Sequence, residues 1–159
     1  MSSTRNCRAN TTTVLRALEH RRRTRIIRRM LLSRENTPAN LIRAWEHGRI
    51  RVADRWIEGH LIVTADRIIA PWSVESPTLL TAADLEPAIA MQPTIVLLGT
   101  GADVLLPDVD LMAALAARGV GLEIMSTAAA CRTFNVLVHE QRRVVAALFS
   151  LAASAPAPG

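Results

Sequence analysis

Apolar residues follow two rhythms along this chain, and the change falls near residue 80. From Asn40 onward, Ile50 and Val52 alternate with arginines, Trp56 and Leu61-Ile62-Val63 follow, and Ile68-Ile69 closes the series. Alternation at period two marks half-buried strands. These short runs, separated by Ala53-Asp54 and Ala65-Asp66, therefore predict antiparallel hairpins. Pro71-Trp72 and Pro77 then break the pattern into a loop.

Beyond that loop, strands alternate with helices. Thr81 with Asp84 three residues on approaches a capping box, and Leu85, Ile89 and Met91 predict a short helix after it. Thr94 to Leu98 reads as a buried strand that ends in Gly99-Thr100-Gly101. Asp108 to Arg118 predicts a second helix, with Leu111, Met112 and Leu115 facing inward and Gly119 as its stop. Leu122 to Met125 is the next strand, Thr127 to about Gln141 a third helix, and Val144 to Leu151 a last apolar strand. Strand–helix alternation implies parallel pairs covered by helices. With the hairpins in front, the fold class is α/β: one domain over residues 38–151, a mixed sheet and about three helices.

Charge divides the chain. All nineteen basic residues are arginine, and ten of them lie in residues 1–34 against a single acid, Glu19. That segment carries a net +9, whereas the remaining residues hold nine arginines against thirteen acids, a net −4. The basic balance thus belongs to a leader over 1–37 and says nothing in favour of nucleic acid as a partner of the domain. Three readings of the leader stand side by side: a start placed upstream of a true first residue near Met30, a basic surface helix touching membrane or nucleic acid, or an organellar transit segment. Residues 152–159, Ala-Ala-Ser-Ala-Pro-Ala-Pro-Gly, predict a disordered tail. No apolar run approaches the roughly 18–20 residues of a membrane span. Cys7 and Cys131 show no disulfide or metal spacing, which suits a reducing compartment. The expected location is the cytoplasm, or the mitochondrial matrix if the source is eukaryotic.

Candidate chemistry concentrates at two strand exits. The Gly99-Thr100-Gly101 turn follows a strand, as phosphate-cradling loops do. The dinucleotide fingerprint would need a third glycine where Val104 stands. Ser126 or Thr127 caps a helix whose free N–H groups attract anions. Set beside the glycine turn, this helix start would form a crevice at the carboxyl ends of two strands. At about 100° per residue, Ala130, Phe134, Leu137 and Val138 form the helix's apolar stripe, with Cys131, Asn135 and Arg142 along its margin. Arg132 and His139 fall further round, toward solvent. His139 lies too far from Cys131 to serve as its base. His20, His47 and His60 lack companions at ligand spacing, so neither metal nor cofactor is expected.

Three stretches carry a family resemblance: Pro71-Trp72, Ile95 to Gly101 (IVLLGTG), and above all Ala117 to Leu148 (ARGVGLEIMSTAAACRTFNVLVHEQRRVVAAL). Over roughly residues 38–150 the chain resembles the family known as domain of unknown function 498, the Mth938-like domain. This family also takes in a mitochondrial complex I assembly factor and adipogenesis-associated domain proteins. The resemblance implies a compact α/β sandwich, no established catalytic residues, and a factor that binds other proteins while a respiratory complex is assembled. Carried over by motif, it implies a signature crevice of Gly99, Thr100, Gly101, Thr127, Cys131, Arg132, Thr133 and Asn135. The family pattern has Asp where this chain has Ser126, and Gly where it has Gln141. If position 141 needs a positive φ, glutamine costs about 1 kcal/mol there.

The expected function is therefore a non-catalytic accessory domain with a protein partner, in the biogenesis of a membrane complex. The alternative is a small-molecule or anion binder, or an enzyme, using the Gly99–Gly101 and Thr127–Asn135 crevice with Cys131 as thiolate.

Overall fold

The computed structural model describes residues 40–150. The expectations for the leader, for a start at Met30 and for the 152–159 tail lie outside them.

The hairpins predicted from alternation divide between two sheets. Strands β1 (Ile42–Glu46), β2 (Arg49–Val52) and β3 (Arg55–Glu58) make an antiparallel meander. The Ala53-Asp54 turn joins Val52 directly to its partner Arg55. Strands β4 (Leu61–Val63) and β5 (Ile68–Ile69) pair across the Ala65-Asp66 turn. They join β6 (Ile95–Gly99), β7 (Gly121–Met125) and β8 (Val144–Leu148) in a mixed sheet of order β5-β4-β8-β6-β7. The pairs β5–β4 and β4–β8 are antiparallel, whereas β8–β6 and β6–β7 are parallel. No alternation announces β1, where Arg43 and Glu46 interrupt the apolar positions and a bulge falls between Ile42 and Ala44.

Period two explains the two cores. Leu61, Val63, Leu97, Val144, Ala146 and Leu148 face one side of the five-stranded sheet, and Ile62, Val96, Leu98, Val145 and Ala147 face the other. Both faces are covered, so the central strands read as unbroken apolar runs. On the first face lies α3 (Thr127–His139), with Ala130, Cys131, Phe134, Leu137 and Val138 inward, together with the meander's Ile42, Ile50 and Val52. On the second lie α1 (Glu86–Ile89), α2 (Val109–Ala117) and the 71–85 segment. The β6-α2-β7 and β7-α3-β8 connections run in opposite directions along the sheet. Crossovers of one hand then place their helices on opposite faces.

Local departures have local causes. Thr81 and Asp84 do bond reciprocally, the Thr81 N–H to Asp84 Oδ2 at 2.9 Å and the Asp84 N–H to Thr81 Oγ1 at 3.4 Å. Helix α1 nevertheless begins only at Glu86, because Pro87 has no N–H to give an earlier turn. Met112 is a correction: only Leu111 and Leu115 of α2 are buried, and Met112 stands 42% exposed on the outer side. Helix α3 ends at His139, and β8 ends at Leu148 rather than Leu151.

Gln141 adopts φ +59, a left-handed conformation that glycine would suit. Its N–H donates to the Val138 carbonyl and that of Arg142 to the Leu137 carbonyl, each at 3.0 Å. This is a Schellman closure. Helix α2 ends the same way, with Gly119 at φ +70 in the equivalent place.

Candidate functional site

The glycine turn and the start of α3 do meet. The Thr127 N–H donates to the Gly101 carbonyl at 2.8 Å, and the Gly101 N–H donates to Thr127 Oγ1 at 2.9 Å. That hydroxyl in turn donates to the Phe149 carbonyl at 2.6 Å, and the Phe149 N–H donates to the Gly99 carbonyl at 2.8 Å. One fully buried threonine thus ties the exits of β6 and β8 to the first turn of a helix. Gly99 permits the approach: a Cβ there would lie 2.9 Å from Leu148 Cδ2 and 3.0 Å from Thr127 Cα. Gly101 adopts φ +102, where any side chain is strained.

Thr100 organises the loop beyond. Its buried hydroxyl donates to the Asp103 carbonyl at 2.7 Å and accepts from the Leu105 N–H at 3.1 Å. Its N–H donates to the Met125 carbonyl at 3.0 Å, extending the β6–β7 pairing by one step. Ser126 is the N-cap of α3 and accepts from the Ala129 N–H at 3.4 Å.

The other candidate residues lie further along α3 and look elsewhere. Asn135 is eight residues past Thr127, about 12 Å along the axis at 1.5 Å per residue. Its amide grips the main chain of β1: Oδ1 accepts from the Ile42 N–H at 2.9 Å and Nδ2 donates to the Ile42 carbonyl at 2.8 Å. Arg132 is exposed, with its guanidinium 5.7 Å from the centre of the Trp45 ring on β1. Thr133 is half-buried. Cys131 is fully buried in the core shared by α3 and the meander. Burial pushes its thiol up to about 12, against the opposing pull of Arg132 and a backbone hydrogen bond. The structure therefore gathers Gly99, Thr100, Gly101 and Thr127, and turns Cys131, Arg132 and Asn135 toward the meander.

One polar residue had no signal in the sequence. His60 is half-buried and its Nδ1 accepts from the Ser150 N–H at 3.0 Å, while its ring packs 4.8 Å from Phe149. Desolvation lowers its pKa, so the neutral ring is favoured. Trp72 also packs against Phe149, its ring centre 5.2 Å away, and donates its indole N–H to the Asp84 carbonyl at 3.0 Å. Ninety residues separate His60 from Ser150, so no local pattern could link them. Among the described residues, no three His, Cys, Asp or Glu side chains gather as a metal would require, and no helix is long and apolar enough to cross a membrane.

Residues 42–149 match the family model described as "Protein of unknown function (DUF498/DUF598)". This chain belongs to that family. Among curated relatives, an uncharacterised protein of Rhodobacter capsulatus is 36% identical over 109 residues, 69% of this chain and 83% of that protein. A Xenopus tropicalis protein named NADH dehydrogenase [ubiquinone] 1 alpha subcomplex assembly factor 3 is 32% identical over 99 residues, 55% of this chain and 54% of that protein. A Francisella tularensis "13 kDa major membrane protein" is 38% identical over 60 residues, 38% of this chain and 49% of that protein. The chain thus spans about half the length of the Xenopus and Francisella relatives. A similar fold appears in an NMR structure from Xanthomonas campestris, with a TM-score of 0.68, 32% identity, and 78% of this chain and 94% of that one covered. A Bordetella pertussis structure described as a Mth938-like domain gives a TM-score of 0.65 at 29% identity, covering 73% of this chain and 89% of that one.

Proposed function

We propose that this domain works without catalysis, as an accessory factor that binds another protein while a membrane complex is built. The observation that carries the reading is the closure of the strand-exit junction. The groups a ligand crevice would offer are engaged with one another: Gly101 N–H with Thr127, Thr127 with Phe149, Thr100 with Asp103 and Leu105. The thiol that a nucleophilic mechanism would use is buried and held protonated, the opposite of the depressed pKa such chemistry needs. The likeness to the Xenopus assembly factor supports the class of role, and the family's shared fold supports carrying it to this domain. The net −4 of residues 35–159 favours a protein partner over nucleic acid. We place the work in a reducing compartment, the cytoplasm or, in a eukaryotic source, the mitochondrial matrix.

The test is affinity capture of the tagged full chain from its native host at physiological salt, with mass spectrometry of what co-purifies. A stoichiometric partner drawn from a membrane-complex intermediate is the expected result. No partner at any salt, or a turnover that a Cys131→Ala variant loses, would sink the reading.

A further inference from the structure

Charge and exposed apolar surface coincide along one segment of this domain, and Leu79, Asp108 and Asp110 of it meet at one groove. From Ile68 to Ala117 the chain carries six acids (Glu75, Asp84, Glu86, Asp103, Asp108 and Asp110) and no arginine, lysine or histidine. The next residue, Arg118, pairs with Glu86 at 2.6 Å, which leaves five of the six without an ion pair among the described residues. The same stretch supplies Leu79, Val104, Leu105, Leu106, Val109 and Met112, six of the eight large apolar side chains exposed among the described residues. Leu106 and Val109, on either side of Asp108, are 68% and 72% exposed. The loop that presents them is not slack. Thr100 pins its first turn through Asp103 and Leu105, and Asp108 caps the helix that follows by accepting from the Asp110 N–H at 2.9 Å. Beside it, between the Pro77–Leu79 turn and α2, runs a groove of about 530 Å³. Leu80 and Leu111 form its floor, Leu79 and Ala114 line it, and Asp108 and Asp110 stand at it without an arginine within salt-bridge reach among the described residues.

Charge selects the occupant. An anionic lipid surface would meet the acids of this face and be repelled. A second copy docking by the same patch would bring two sets of like-charged acids into one interface with no cation of the patch to pair them. What remains complementary is an apolar stripe flanked by cations. Building on the reading that the domain binds a protein, we infer that this face docks a basic amphipathic helix of the partner. Its apolar side seats in the Leu79–Leu111 groove and against Leu106 and Val109. Its lysines or arginines meet Asp108 and Asp110.

The test uses the full chain and two synthetic helical peptides with one leucine stripe, one flanked by lysine and the other by glutamate. Fluorescence anisotropy should show binding of the lysine peptide that weakens with salt, and none of the glutamate peptide. Paired substitutions Leu106→Ser/Val109→Ser and Asp108→Asn/Asp110→Asn should each weaken that binding roughly tenfold. Asparagine still caps α2, and the serines sit at exposed positions, so melting temperatures should be unchanged. Equal binding of the two peptides, or undiminished binding by either variant, overturns the inference. So does Leu106-dependent binding to phosphatidylglycerol vesicles, or a dimer that Leu106→Ser/Val109→Ser dissolves. A captured native partner that both variants retain would remove this face while leaving the accessory role standing. Absence of any partner removes both.

Discussion

At the scale of single residues, Thr127 carries more of the structure than its size suggests. Replacing it with valine keeps the shape but leaves the Gly101 N–H and the Phe149 carbonyl without their partner. Each buried group left unpaired costs roughly 1–3 kcal/mol, so Thr127→Val should lose about 2–4 kcal/mol in urea unfolding while Thr127→Ser loses far less. A Thr127→Val protein that unfolds with the parent would show that these bonds contribute little. Gln141 offers the opposite experiment. It holds φ +59 in the position that Gly119 fills at the end of α2. Gln141→Gly should therefore raise stability by about 1 kcal/mol, as relief of left-handed strain predicts, and a thermal melt moved downward would refute it. Only the family resemblance pointed to a glycine-like conformation at 141; the residues themselves predict a helix that runs to about Gln141, where the structure ends it at His139. The bonding of Thr127 could not be read from the sequence, since its partners lie 26 and 22 residues away.

At the scale of elements, α3 packs its apolar stripe against the meander and hydrogen-bonds it through the amide of Asn135. Asn135 satisfies both main-chain groups of Ile42, so β1 is held by a side chain where a neighbouring strand would otherwise pair. Asn135→Ala should expose the amides of residues 42–58 to hydrogen exchange well before those of β6 and β8. The expected cost is about 1–3 kcal/mol for the two bonds. Uniform loss of protection across both sheets would contradict this. Legibility followed burial. β4, β6 and β8, apolar on both faces, stood out as runs, and β2 stood out by alternation. β1 did not, because its apolar positions are broken by Arg43, Glu46 and a bulge. The division of hairpins between two sheets was also hidden, since strand pairing depends on contacts far apart in the chain. Met112 was expected inward from spacing alone, but α2 is narrow in its contact and buries only Leu111 and Leu115. Of the anticipated crevice, the meeting of turn and helix was visible in the motif. The inward turn of Cys131 and the outward reach of Asn135 needed the meander's position to be known.

At the scale of the whole molecule, acid should act through His60. Its folded pKa lies below the ordinary 6.5, because burial disfavours the charged ring. As pH falls through about 6.5, the unfolded chain takes up a proton that the folded chain resists. Stability therefore declines until the folded ring itself titrates and gives up the Ser150 N–H. His60→Gln should flatten the stability difference between about pH 7 and pH 5 relative to the parent, and parallel pH profiles for the two proteins would exclude this. The strand order has one further consequence, for synthesis. β8 lies at the centre of the sheet yet follows the other seven strands of the described residues, so β4–β5 and β6–β7 remain two ribbons with no ladder between them until Val144–Leu148 has been made. Until that strand emerges from the ribosome, the nascent chain exposes two open inner edges. Such edges invite mispairing, so a stall or premature stop shortly before Val144 should leave an insoluble product rather than a shortened domain.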